Sequence, residues 1–129
     1  MEYTELLEKQ IIGRLKVDNS WWVEGVIPDY FLRMSPRLYL NIFMPLLQSI
    51  DFRRALILMG PRRVGKTVMM FHSIQSLIDS GISPQNIIYI SVETPIYNKI
   101  YLEQLFLLAC QVLGKDPMKD NMYVFYDEI

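Results

Sequence analysis

A chain of 129 residues, 51% hydrophobic and 21% charged, is one domain at most, with enough apolar residues to build a core and too many for a disordered segment. A net charge of −1 excludes a general electrostatic affinity for nucleic acid, and a single cysteine, Cys110, excludes an internal disulfide framework. The acidic start Met1-Glu2-Tyr3-Thr4-Glu5 lacks the pattern of a signal peptide, and no apolar run is long enough to span a bilayer, so a cytoplasmic location away from membranes is expected.

Charge is spread unevenly. Residues 1–32 hold three Lys/Arg against six Asp/Glu, and residues 68–129 hold three against seven. Between them, Arg33, Arg37, Arg53, Arg54, Arg62, Arg63 and Lys66 stand against Asp51 alone. Positive charge gathered in one short stretch fits a compact anionic ligand better than a long nucleic-acid track.

In chain order, residues 2–16 read as an amphipathic helix with Tyr3, Leu6, Leu7, Ile11 and Leu15 on one side. Asp18-Asn19-Ser20 breaks it, and Trp21-Trp22 follows. Paired tryptophans stack on bases, anchor a partner segment, or pack. Packing that pins the first helix to the core is the expectation. Ser35-Pro36 has the form of a helix N-cap with proline at the first position, presenting Leu38, Ile42, Leu46 and Ile50 on one stripe. Pro45 should kink or split that helix. Residues 1–52 are thus expected to be a helical N-terminal segment and 53–129 a distinct core.

Ala55-Leu56-Ile57-Leu58-Met59 reads as a buried strand. It runs into Gly60-Pro61-Arg62-Arg63-Val64-Gly65-Lys66-Thr67, which has the form G-x-x-x-x-G-K-S/T of a phosphate-binding loop. Behind it, Thr67, Met70, Phe71, Ile74, Leu77 and Ile78 recur at helical spacing until Ser80-Gly81. Strand, glycine loop and helix are the setting the motif requires. Gly60 and Gly65 let the backbone approach an anion closely, and the loop amides and helix N-terminus direct partial positive charge at phosphates. Lys66 adds a full charge, and the Thr67 hydroxyl is suited to ligate Mg2+. The expected nucleotide contacts therefore run from Gly60 through Pro61, Arg62, Arg63, Val64, Gly65, Lys66 and Thr67 to Val68.

Ser83-Pro84-Gln85-Asn86 reads as a turn and Ile87-Ile88-Tyr89-Ile90-Ser91-Val92 as a second buried strand. Thr94-Pro95 is expected to open a helix, with Tyr101, Leu105, Leu108 and Val112 in one row and Leu102, Phe106, Ala109 and Leu113 in the next. Cys110 lies in that apolar stretch as a small core residue. Gly114 ends the helix, and Lys115 to Asn121 form a polar loop. Met122-Tyr123-Val124-Phe125-Tyr126 is a third apolar strand ending in Asp127-Glu128. An acid at the carboxyl end of a buried parallel strand sits where ligands bind in open α/β sheets. Asp127 is suited to hold Mg2+ and Glu128 to orient or deprotonate an attacking water.

GTPases follow the loop with Asp-x-x-Gly and read guanine with Asn-Lys-x-Asp. Here Asp127 precedes a glutamate, and Asn98-Lys99-Ile100-Tyr101 lacks the aspartate, so ATP is the expected nucleotide. The Gly60–Thr67 loop with Arg54 before it, Trp21-Trp22, Pro36-Arg37-x-Tyr39, Gly81-Ile82-Ser83-Pro84 and Phe125-Tyr126-Asp127-Glu128-Ile129 resemble the AAA-type P-loop ATPases of archaea and bacteria. In that family a nuclease-like or winged-helix domain often follows the ATPase. The resemblance implies a three-layer α/β/α P-loop core on a parallel sheet, of the additional-strand catalytic-glutamate class. It also implies Mg-dependent ATP hydrolysis with Lys66 and Glu128 in catalysis and Thr67 and Asp127 at the metal.

In that class a further strand, later in sequence than Asp127, lies between the loop strand and the Asp127 strand. Since the sequence stops one residue past Glu128, the expectation is an N-terminal piece of a longer ATPase, with a gap in the sheet beside its first strand. The expected partners are ATP and a C-terminal domain, with homo-oligomerisation and nucleic acid left open. ATP binding without turnover, as a nucleotide switch, is the alternative function, as is a part in a DNA-associated motor.

Overall fold

A computed structural model describes residues 2–34, 54–58, 66–98 and 100–128. The expected helix after Ser35-Pro36, with its kink at Pro45, lies outside the described residues. So do Gly60, Pro61, Arg62, Arg63, Val64 and Gly65.

Among the described residues, three strands carry the core. β1 (Arg54–Leu58), β2 (Ile87–Ser91) and β3 (Met122–Asp127) form a parallel sheet in the order β1-β3-β2. β1 runs on to α4 (Lys66–Asp79), which leads to β2 through a 3-10 turn at Pro84–Asn86. α5 (Leu102–Leu113) connects β2 to β3. The first crossover passes over β3 to reach β2, and the second comes back. Right-handed crossovers running in opposite directions put their helices on opposite faces of a sheet. Side chains agree. Tyr89 of β2 meets Phe71 of α4 with ring centroids 4.8 Å apart, and Tyr126 of β3 donates a hydrogen bond to the Leu102 carbonyl of α5 at 3.3 Å. With helices on both faces, the strands read as near-continuous apolar runs rather than alternating ones. Ile87, Ile88, Ile90, Val124 and Phe125 are all fully buried.

The expected gap beside the first strand is absent. β1 pairs with β3 along its whole length, Arg54 opposite Met122 through Leu58 opposite Tyr126. Main-chain donors and acceptors in a sheet must find partners, and direct pairing satisfies one edge of each strand. Two neighbouring strands therefore replace the interrupted sheet that the additional-strand class predicts.

The first helix, α1, spans Glu2–Asp18, two residues beyond the expected end. Ile11 and Leu15 are fully buried, but Leu6, expected on the same side, is exposed. Two short helices follow, α2 (Trp21–Glu24) and α3 (Asp29–Leu32). α1 lies against α5 and β2, and α3 against α4. Trp21, Phe31, Phe71 and Tyr89 form one aromatic chain, with Phe31 and Phe71 stacked at 4.2 Å.

The tryptophan pair packs, as expected. Both rings are buried, and both indole N–H groups donate to the Ile87 carbonyl, at 3.0 and 2.7 Å. Burial leaves neither face open to a base. Asn19, read only as a helix breaker, is also fully buried. Its amide donates to the carbonyls of Leu15 (2.7 Å) and Tyr89 (3.0 Å), and its Oδ1 accepts from the Tyr89 N–H at 2.6 Å. β2 is an outer strand of the described sheet, so these side chains satisfy main-chain groups that no strand reaches.

Thr94-Pro95 opens only a 3-10 turn, Pro95–Tyr97, rather than a helix. Asn98 donates to the Pro95 carbonyl and Ile100 to that of Tyr97, three-residue closures that do not propagate as an α-helix. Tyr97, buried in the core, anchors the turn. α5 begins at Leu102, where the Gln104 side chain accepts from the Tyr101 N–H, and it buries Leu105, Phe106, Ala109 and Cys110. Gly114 ends it at φ 68°, a left-handed conformation natural to glycine. Among the described residues, no helix is long and apolar enough to cross a membrane.

Candidate nucleotide and metal site

The start of α4 and the end of β3 meet. Lys66, Thr67 and Val68 are the first three residues of α4, and no acidic residue occupies its first turn. The partial positive charge of that end of the helix is not offset by a carboxylate of its first turn. Asp127 is the last residue of β3 and 1% exposed. A carboxylate taken out of water needs hydrogen bonds. Among the described residues, Asp127 Oδ2 accepts two, from the Thr67 hydroxyl at 2.8 Å and from the Tyr89 hydroxyl at 2.6 Å. These are short, charge-assisted bonds. Residues sixty positions apart in sequence are thus brought into direct contact.

Tyr89 reaches Asp127 because of strand register. Ser91 lies opposite Asp127 and Tyr89 opposite Phe125, so Tyr89, Ser91 and Asp127 share the face under α4. Burial raises the Tyr89 pKa well above the ordinary tyrosine value, and the hydrogen bond to Asp127 and that residue's charge add to it. At neutral pH the phenol is therefore a fixed donor.

Glu128 follows Asp127 at φ 64°, and it is the only non-glycine with positive φ among the described residues. Left-handed backbone in a glutamate is strained by about 1–2 kcal/mol. The Ser91 hydroxyl donates to Glu128 Oε2 at 3.1 Å, and the Val92 N–H donates to the Asp127 carbonyl at 3.0 Å, which fixes the turn leaving β3.

The donor set fits Mg2+. A hydroxyl and a carboxylate are hard oxygen ligands, and Mg2+ is commonly held by one or two protein oxygens with water and phosphate completing the shell. No group of three or more His, Cys, Asp and Glu side chains able to hold a metal ion occurs among the described residues, so an all-protein cage of the zinc or calcium kind is not found there.

Of the residues singled out by sequence, Lys66, Thr67, Val68, Asp127 and Glu128 lie along this junction, and Thr67 touches Asp127. Tyr89 and Ser91 were missed. The available signal was a hydroxyl-bearing residue at alternate positions of an otherwise apolar strand, since buried Tyr and Ser hydroxyls need partners.

Residues 52–129 match the model of a protein family described as AAA domain. No curated protein and no solved structure matches the chain.

Proposed function

The chain belongs to the AAA domain family, matched over residues 52–129, and from this premise we propose that it binds ATP with Mg2+ and hydrolyses it. The observation that carries the reading is the 2.8 Å hydrogen bond from Thr67 at the head of α4 to the buried Asp127 at the end of β3.

Lys66 and the first N–H groups of α4 would hold the phosphates, together with the stretch Gly60 to Gly65. Thr67 and Asp127 would hold Mg2+, which when bound neutralises charge building up on the β- and γ-phosphate oxygens. Glu128 would accept a proton from the water that attacks the γ-phosphorus as the bond to the ADP oxygen breaks. Its strained backbone and its hydrogen bond from Ser91 support a carboxylate held in one orientation. Hydrolysis would drive a conformational change passed to a further C-terminal domain or to a second copy of the chain.

Phosphate release from ATP, measured beside ATP binding for the wild type and Glu128→Gln, tests this. The expected result is turnover in the wild type and loss of at least about tenfold in the variant, with affinity retained. Binding without turnover in the wild type would make the protein a nucleotide-dependent switch instead.

A further inference from the structure

Tyr89 occupies an unusual position. Its ring is buried against Phe71, its main-chain N–H and carbonyl are both held by Asn19 at the outer edge of β2, and its hydroxyl ends on Asp127. A side chain fixed at both backbone and ring delivers its hydroxyl from one place. Thr67 reaches the same carboxylate oxygen from a different element, α4. Two donors converging from separate elements set the rotation of the Asp127 carboxylate, which a single donor would leave freer.

From this geometry we infer that Tyr89 is a positioning residue for the metal site, holding Asp127 in the orientation that receives Mg2+. The inference rests on the ATP-binding reading above and adds a residue to it. Tyr89 touches neither nucleotide nor metal in this account and acts through Asp127 alone. A carboxylate whose orientation is set before the metal arrives binds it more tightly, and loss of such an outer partner commonly weakens metal affinity by about 10–100-fold.

The test uses the full 129-residue chain and a non-hydrolysable ATP analogue, titrated by calorimetry with and without Mg2+. Tyr89→Phe keeps the ring and removes only the hydroxyl. The expected result is unchanged affinity for the metal-free analogue and Mg2+ affinity of the loaded protein weakened about tenfold. Mn2+ in place of Mg2+ should give a different paramagnetic-resonance spectrum in the variant, a signature that a purely structural role would leave alone. Equal weakening with and without metal, or Mg2+ affinity within about twofold of wild type, overturns the proposal. Asp127→Asn with and without Tyr89→Phe closes a double-mutant cycle and provides a background that has no buried charge to strand. If Tyr89→Phe keeps its full effect beside Asp127→Asn, Tyr89 does not act through Asp127, and the proposal fails. If the folded wild type does not bind the analogue, or binds it equally well without Mg2+ and after Lys66→Ala, the Mg-ATP reading of this site itself fails, a result visible without any Tyr89 variant.

Discussion

Asn19 pairs with Tyr89 as a neighbouring strand would. It accepts from the Tyr89 N–H at 2.6 Å and donates to the Tyr89 carbonyl at 3.0 Å, across seventy residues of sequence. With Trp21 and Trp22 donating to Ile87 two residues earlier, the segment after α1 closes the outer edge of β2 using side chains alone. The same arrangement ties the N-terminal segment to the strand that carries Tyr89 into the candidate site.

Asn19→Ala leaves the Tyr89 N–H and carbonyl buried without partners. The expected loss is about 2–6 kcal/mol, from two orphaned groups at about 1–3 kcal/mol each. Trp22→Phe should lose less, about 1 kcal/mol from its hydrogen bond, because Trp21 still donates to the same carbonyl. Urea denaturation of both variants checks the order, and an Asn19→Ala loss below that of Trp22→Phe would contradict the edge-closure account.

Tyr97 sets an alkaline limit. Its hydroxyl is buried with no hydrogen-bond partner among the described residues. Burial, with a smaller contribution from the Asp18 charge, raises its pKa well above 10.0, while Arg14 opposes the shift. The folded pKa exceeds the unfolded one, so the folded state binds more protons at high pH. This contribution is complete below about pH 10 and is lost as pH rises toward the folded value. Tyr97→Phe should flatten the fall in stability above about pH 10 and leave stability at pH 7 equal or higher by about 1 kcal/mol. Denaturation curves at neutral and alkaline pH give both numbers.

Glu128 carries its strain in the backbone, whatever its side chain does. Glu128→Ala and Glu128→Gly both remove the carboxylate and its bond from Ser91, but only glycine relieves φ 64°. Glu128→Gly should be the more stable of the two by about 1 kcal/mol, offset in part by the freedom glycine adds to the unfolded chain. Equal stability would mean that the left-handed backbone is unstrained there.

The residues at the junction of α4 and β3, where Thr67 meets Asp127, could be singled out in advance because phosphate and metal chemistry restricts residue type at fixed spacing. Lys66 and Thr67 after a glycine loop, and Asp127 at the end of an apolar strand, are such cases. The apolar runs 87–92 and 122–126 announced β2 and β3 because both faces of the sheet are covered. Strand order was not readable. Nothing local says that β1 lies beside β3, and analogy placed a strand between them. Tyr89 was hidden for the same reason, since its meaning depends on register with β3 and on α4 overhead. Asn19 was recognised as a break because that signal is local, while its partner is seventy residues away. Thr94-Pro95 misled because a good cap starts a turn, and whether the turn continues depends on how Tyr97 packs.

The central claim is that the head of α4 and the end of β3 form an Mg-ATP site. Calorimetric titration of the folded chain with ATP, with and without Mg2+, beside Lys66→Ala, tests it most directly. The account predicts binding that Mg2+ strengthens and that Lys66→Ala abolishes. A folded wild-type protein that binds no ATP, or binds it equally well after Lys66→Ala, would contradict it.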